Sequence, residues 1–208
     1  MCLIILKPID GVIHKADLKQ AFYNNKDGVG FAYTDFIEVK THKEVYNNFN
    51  SFYKDYLKYK MLSEQNCSSL LLHFRLATNG AINKLNCHPF YIDNTTKDLV
   101  VAHNGIIYQY AENKNKSDTK LYIKEVLQNL PANFHRNNAI LKLIAKDIGR
   151  FNKLVFLDKN NVYKIVNEDQ GQWVNGCWYS YPIRVENYDY DDDKHYNELA
   201  EYYDSLYN

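Results

Sequence analysis

Apolar residues crowd the start of the chain: Cys2-Leu-Ile-Ile-Leu6 is an unbroken run, the pattern of a strand buried on both faces. A polar helical segment follows from about Lys15 to Asn24. Asp27-Gly-Val-Gly-Phe-Ala-Tyr33 then reads as a glycine turn running into alternating apolar positions, and a short strand at Phe36 to Val39 completes a predicted hairpin. Thr41-His-Lys-Glu44 has capping-box spacing, and Val45, Phe49, Phe52, Tyr53 and Tyr56 recur at helical intervals. Together these predict an amphipathic helix over Lys43 to Lys60.

Two core strands are predicted next, Ser69 to Arg75 and Asp98 to His103, each delivering polar residues at its C-terminal end. Ser117 is placed to cap a helix whose apolar positions Ile123, Val126, Leu127 and Leu130 share a face and which stops before Pro131; a second helix covers Ala139 to Ile148. Leu154 to Leu157 and Val162 to Val166, joined by Asp158-Lys-Asn-Asn161, predict a further hairpin.

Composition narrows the class. With 208 residues, 46% hydrophobic, 8 Gly and 4 Pro, the chain fits one globular domain and not a disordered or fibrous protein. No apolar run approaches the ~20 residues of a membrane span, so no membrane association is expected. The start lacks the pattern of a signal peptide, and Cys2, Cys67, Cys87 and Cys177 are too scattered for a disulfide framework, which predicts a reducing, cytoplasmic setting. Charge is balanced at 25 basic and 25 acidic residues, but unevenly spread. The stretch from Glu186 to Asn208 holds eight acids, one lysine and six tyrosines, leaving 24 basic and 17 acidic residues before it. The expected organisation is therefore a domain over 1–185 and an acidic, Tyr-rich tail over 186–208, a candidate docking segment. A body so mildly basic, with no recognisable motif, gives no reason to expect a nucleic-acid partner. No Cys/His spacing fits zinc and no glycine loop cradles phosphate, so neither metal nor other cofactor is expected.

Cys2 is the residue with chemical promise. Methionine aminopeptidase removes Met1 when the second residue is small, as Cys is. The processed chain would then begin with a thiol and a free α-amine, which titrates near pH 8 (about 7.7–8.0) and can take the thiol's proton. Taken alone, Cys2 reads equally well as a small buried hydrophobe.

Four further segments change that balance: His73-Phe-Arg75-Leu-Ala77-Thr78-Asn-Gly80, Asn86-Cys-His-Pro89-Phe90, Ala102-His103-Asn104-Gly105-Ile-Ile107 and Ser117-Asp118-Thr119. In this order, behind Cys2, they resemble the class II glutamine amidotransferases, the N-terminal nucleophile (Ntn) glutaminases, whose pattern is His-x-Arg-x-Ala/Ser-Thr-x-Gly, Asn-x-x-Pro and His-Asn-Gly. The resemblance covers roughly residues 2 to 180. It implies an α+β fold of four layers, αββα, with two antiparallel sheets packed face to face between helical layers. It also implies hydrolysis of the L-glutamine side-chain amide through a γ-glutamyl thioester on Cys2.

Physical chemistry asks the same of a glutamine pocket: a cation for the α-carboxylate, an anion for the α-amine, and donors where negative charge develops on the side-chain carbonyl. The resemblance assigns Arg75 and Thr78 to the carboxylate, Asp118 to the amine, and the Asn104 amide with the Gly105 N–H to the oxyanion. Each residue also has a plainer reading: Arg75 as an ion pair, Asp118 as an acid favouring a helix start, Asn104-Gly105 as a hairpin turn. One departure stands out, since the acid usual in the family two positions past Asp118 is Lys120 here. Gly28 and Gly30 are expected to let backbone approach the nucleophile strand. Cys87-His88 is expected to be structural, and His73 and His103 to line the core.

In the family such a domain is usually fused to a synthase domain. This chain is too short to hold one, so a separate ammonia-acceptor protein is the expected partner. The alternatives are an Ntn amidohydrolase acting on another γ-glutamyl compound or amide, and a catalytically silent binding domain.

Overall fold

The computed structural model describes residues 2–77, 81–111 and 117–182. Ten strands and four α-helices occur among them, in the order β1 (Leu3–Lys7), α1 (Lys15–Asn24), β2 (Val29–Thr34), β3 (Val39–Glu44), α2 (Phe49–Gln65), β4 (Leu70–Phe74), β5 (Phe90–Tyr91), β6 (Leu99–Asn104), α3 (Asp118–Glu125), α4 (Asn138–Ile148), β7 (Lys153–Asp158), β8 (Tyr163–Val166), β9 (Gln172–Val174) and β10 (Cys177–Tyr179). Every strand pairing is antiparallel. One sheet runs β3-β2-β4-β1-β10-β9, the other β5-β6-β7-β8.

Side-chain alternation builds the layers. From the larger sheet, Leu3, Ile5, Phe31, Leu72 and Phe74 face outward onto Leu18 and Phe22 of α1 and Phe49, Phe52 and Tyr56 of α2. Their neighbours Ile4, Leu6, Ala32 and Leu71 face inward and meet Val100, Ala102, Val155 and Leu157 of the smaller sheet, with Trp178 among them. The other face of that sheet, Val101, Leu154 and Phe156, is covered by Tyr122 and Ile123 of α3 and Ile144 and Ile148 of α4. Helix, sheet, sheet, helix is therefore the order of layers, the αββα sandwich expected.

Three boundaries differ from expectation. Thr41–Glu44 is strand rather than helix start: β2 lies inside its sheet, and β3 satisfies its second edge through the register Val29↔Glu44 to Thr34↔Val39. Pairing outweighs the local capping signal. The α2 cap is instead Asn48, whose side chain accepts from Ser51 N–H, and Phe36 to Glu38 form the turn before β3, held by Asp35 Oδ1 accepting from Ile37 and Glu38 N–H. α3 ends at Glu125, with a 3₁₀ turn at Leu127–Asn129 carrying the apolar face onward. Short strands β5, β9 and β10 carry too little pattern to stand out in the sequence. Among the described residues no helix is long and apolar enough to cross a membrane.

Phe52 sits at the centre of the outer aromatic cluster, with ring contacts to Phe22, Phe31, Tyr46, Phe49, Tyr56 and Phe74. Phe52→Ala is expected to lower unfolding free energy by about 3–5 kcal/mol, the cost of a large buried cavity. Denaturant unfolding measures it, and a loss under about 1 kcal/mol would mean α2 packs loosely on the sheet.

Candidate active site

Four of the six residues assigned to catalysis or substrate binding line one cavity of about 250 Å³, Cys2, Arg75, Gly105 and Asp118, and His103 lines it with them. Strand pairing brings them there. Leu3 opposes Phe74 in the β1–β4 ladder, so the residue before β1 lies beside the segment that follows β4. Leu76 N–H donates to Cys2 Sγ at 3.4 Å, and the thiol donates to Leu76 O at the same distance. Burial pushes the Cys2 thiol up; the Leu76 hydrogen bond and the Arg75 charge pull against it, while Asp118 adds to the rise.

Arg75 is only 5% exposed and donates from one guanidinium nitrogen to Ala81 O at 2.9 Å. The plainer reading, a surface ion pair, does not fit a residue so buried. Asp118 opens α3, where its carboxylate accepts from Thr119 N–H at 2.7 Å and Ile107 N–H at 2.8 Å. Ser117 occupies the N-cap position, but its hydroxyl makes no cap bond and instead donates to Asp118 Oδ1. Asp118 is thus pinned by backbone and lines the cavity as well. Thr78 lies outside the described residues.

Asn104 and Gly105 make no hairpin: β6 ends at Asn104, opposite Lys153 of β7. Gly105 has φ +140°, and a Cβ there would sit 2.1 Å from Asn152 Oδ1. Only glycine tolerates both. The Asn104 side chain is fully buried and does not line the cavity; its amide lies 2.7 Å from Ser180 Oγ.

A group of buried imidazoles backs the cavity. His73 Nε2 lies 3.1 Å from His103 O and 2.9 Å from His88 Nδ1. A carbonyl only accepts, so His73 carries its proton on Nε2, which leaves the His88 proton on Nε2. On His103, Nδ1 meets the Thr119 hydroxyl at 2.8 Å and Nε2 meets Asn152 Oδ1 at 2.9 Å. Burial holds all three below the ordinary imidazole range, His73 at about 3. Neutral and weakly basic, they are poor proton acceptors for a thiol.

His88 lines the cavity, whereas Cys87 turns towards Gly28: a Cβ on Gly28 would lie 2.3 Å from Cys87 Sγ, and one on Gly30 would lie 1.8 Å from His88 O. The two glycines therefore admit the Cys87–Pro89 segment. They do not serve the nucleophile strand, which β4 separates from β2. Lys120 Nζ donates to Asn86 Oδ1 at 3.2 Å and lies over the Phe90 ring, as does Lys43, whose ammonium burial lowers to about 8. His88, Ser180 and Asn152 were not singled out as functional in the sequence; Asn152 and Ser180 belong to no motif that would have marked them. No group of three or more His, Cys, Asp or Glu among the described residues is arranged to hold a metal.

Two comparisons with known proteins bear on the family of the chain. A family model described as glutamine amidotransferases class-II matches residues 13–156, a span that includes Arg75, Asn104, Gly105 and Asp118. A solved structure of glutamine phosphoribosylpyrophosphate amidotransferase from B. subtilis, complexed with ADP and GMP, is similar at 14% identity and a TM-score of 0.41. The match covers 86% of this chain and 41% of that one, so this chain spans less than half the length of that relative.

Because three imidazoles are held neutral in the fold but titrate freely when unfolded, protons bind the unfolded state preferentially below about pH 6.5. Thermal stability is expected to change little between about pH 6.5 and 7.5 and to fall as pH drops from 6.5 towards 5, before the carboxylates titrate. A melting temperature unchanged down to pH 5 would contradict neutral, buried imidazoles.

Proposed function

The chain belongs to the class II glutamine amidotransferases, a family of enzymes, and from that premise we propose that it hydrolyses the side-chain amide of L-glutamine through a γ-glutamyl thioester on Cys2. The observation that carries the reading is one cavity in which a thiol, a buried guanidinium and a backbone-pinned carboxylate converge. Arg75 takes the α-carboxylate and Asp118 the α-amine, which fixes the side-chain amide over Cys2. Thr78 is assigned as a second donor to the carboxylate on the strength of the sequence pattern alone.

Removal of Met1 frees the α-amine of Cys2. That amine accepts the thiol proton, and the sulfur attacks the amide carbon, placing negative charge on the carbonyl oxygen. The Gly105 N–H at the cavity wall stabilises that charge, and the Asn104 amide, buried directly behind it, is assigned as the second donor on the strength of the sequence pattern. When the tetrahedral intermediate collapses, the carbon–nitrogen bond breaks and the α-ammonium returns its proton to the departing ammonia. Water, deprotonated by the same amine, then attacks the thioester and releases glutamate and the thiol. With the imidazoles held neutral and weakly basic, the terminal amine is the base best matched to neutral pH.

The ammonia goes to a separate acceptor-modifying partner, for which the acidic stretch 186–208 is the proposed docking segment on a catalytic domain of residues 1–185. The setting is the cytoplasm, where thiols stay reduced.

Ammonia release from glutamine tests this reading. Cys2→Ala, still processed behind a small residue, is expected to abolish turnover. Arg75→Gln is expected to raise KM about 10–100-fold, the worth of a charge-assisted hydrogen bond. Truncation at residue 185 is expected to leave turnover intact. An intact mass that retains Met1, or a Cys2→Ala variant as active as the parent, would overturn the mechanism; preference for γ-glutamyl peptides over free glutamine would change the substrate.

A further inference from the structure

Ser180 follows directly on β10 and is fully buried, as is Asn104 at the end of β6. Its hydroxyl oxygen accepts from Ile4 N–H at 2.9 Å and lies 2.7 Å from the Asn104 amide, while its own N–H donates to Ile4 O at 3.0 Å. This one side chain therefore ties β1 of the larger sheet to the end of β6 in the smaller. Ile4 is two residues from Cys2, so the tie joins the strand that carries the proposed nucleophile to the proposed oxyanion donor.

Proton counting fixes which way the Asn104 amide must face. A hydroxyl has one proton to give and two lone pairs. With Nδ2 turned to Ser180, the serine oxygen accepts twice and its proton has no acceptor among the described residues. Asn104 Oδ1 is then buried without a donor. The nitrogen and oxygen of an amide are nearly the same size, so a half-turn exchanges them at almost no steric cost. After that turn Ser180 O–H donates to Oδ1, Ile4 N–H still donates to Ser180, and the atom left over is Nδ2, a donor. A buried donor turned away from Ser180, next to the cavity-lining Gly105, suits an oxygen that becomes anionic only during reaction.

We infer that Ser180 is a positioning residue for the oxyanion hole, its hydroxyl holding Asn104 Oδ1 so that Nδ2 is offered to the substrate. This rests on the amidotransferase reading above. Ser180 acts through Asn104 and touches no substrate. Without its hydroxyl, Asn104 loses the contact that decides between its two amide orientations, and the donor is correctly presented only part of the time.

Steady-state kinetics on the full chain, together with the rate of Cys2 alkylation by iodoacetamide, test this. Ser180→Ala is expected to lower kcat for glutamine about 10–100-fold, short of the ~10²–10³ for loss of a whole oxyanion donor in Asn104→Ala. KM is expected to stay near the parent's, because Arg75 and Asp118 are untouched. Alkylation passes through no oxyanion, so its rate is expected to match the parent's. The double variant is expected to be no slower than Asn104→Ala alone. Should Ser180→Ala not fold, Ser180→Cys, a weaker donor, is expected to show the same lowered kcat with unchanged alkylation. Parental kcat in a folded Ser180 variant, a parallel fall in alkylation, or additive losses in the double variant would each overturn the inference. Failure of the underlying reading looks different: a parent chain that releases no ammonia, or one whose Cys2→Ala variant still does.

Discussion

The register between β1 and β4 is the constraint on which the site depends. Leu3 faces Phe74 and Lys7 faces Leu70, and both faces of β1 are packed, one against α1 and α2 and the other against the second sheet. A slip of one residue would move Ile4 and Leu6 from the inter-sheet core to the helix side and strand Leu3 and Ile5 opposite the wrong layer. Each of these side chains contributes roughly 1.5–3 kcal/mol when buried, so the slipped state is strongly disfavoured. That packing fixes where Cys2 emerges: against the Leu76 backbone, one residue from Arg75. The thiol is positioned by the hydrophobic core, and its own contacts only trim the geometry.

The electrostatics of the cavity follow from the same burial. Removing water raises the thiol and suppresses charge on three imidazoles, and the same small cavity brings the Arg75 guanidinium and the Asp118 carboxylate together. Low dielectric strengthens whatever those charges hold. On the proposed reading a zwitterion finds a partner for each of its charged ends there, and a simple amide does not. Lys120 and Lys43 share the Phe90 ring, and Lys120 also holds the cavity-lining Asn86.

Much of this was legible in the sequence because the informative signals are local. The run Leu3 to Leu6, the helical spacing of apolar residues in α2 and α3 and the turn at Asp158 to Asn161 each announce their element within a few residues. The Cys2, Arg75, Gly105 and Asp118 cluster was legible only through the motif pattern, since nothing local joins positions so far apart. What stayed hidden depends on pairing across long separations. Thr41 to Glu44 carries a helix-start signal that the open edge of β2 overrules, and β10 is three residues whose partner lies at the other end of the chain. Ser180 escaped for the same reason: a lone serine acquires its role only when β10 lies beside β1. Gly30 was noticed as a close-approach glycine, but the segment it admits, at His88, is one that spacing along the chain cannot reveal.

The central claim is that the sulfur of Cys2 alone attacks glutamine in this cavity. Its most direct test is incubation with 6-diazo-5-oxo-norleucine, a glutamine analogue that alkylates such nucleophiles, followed by peptide mapping of the adduct. The account predicts a single adduct on Cys2 whose formation excess L-glutamine suppresses. Labelling of Cys67, Cys87 or Cys177 in its place, or labelling of Cys2 that glutamine does not slow, would contradict it.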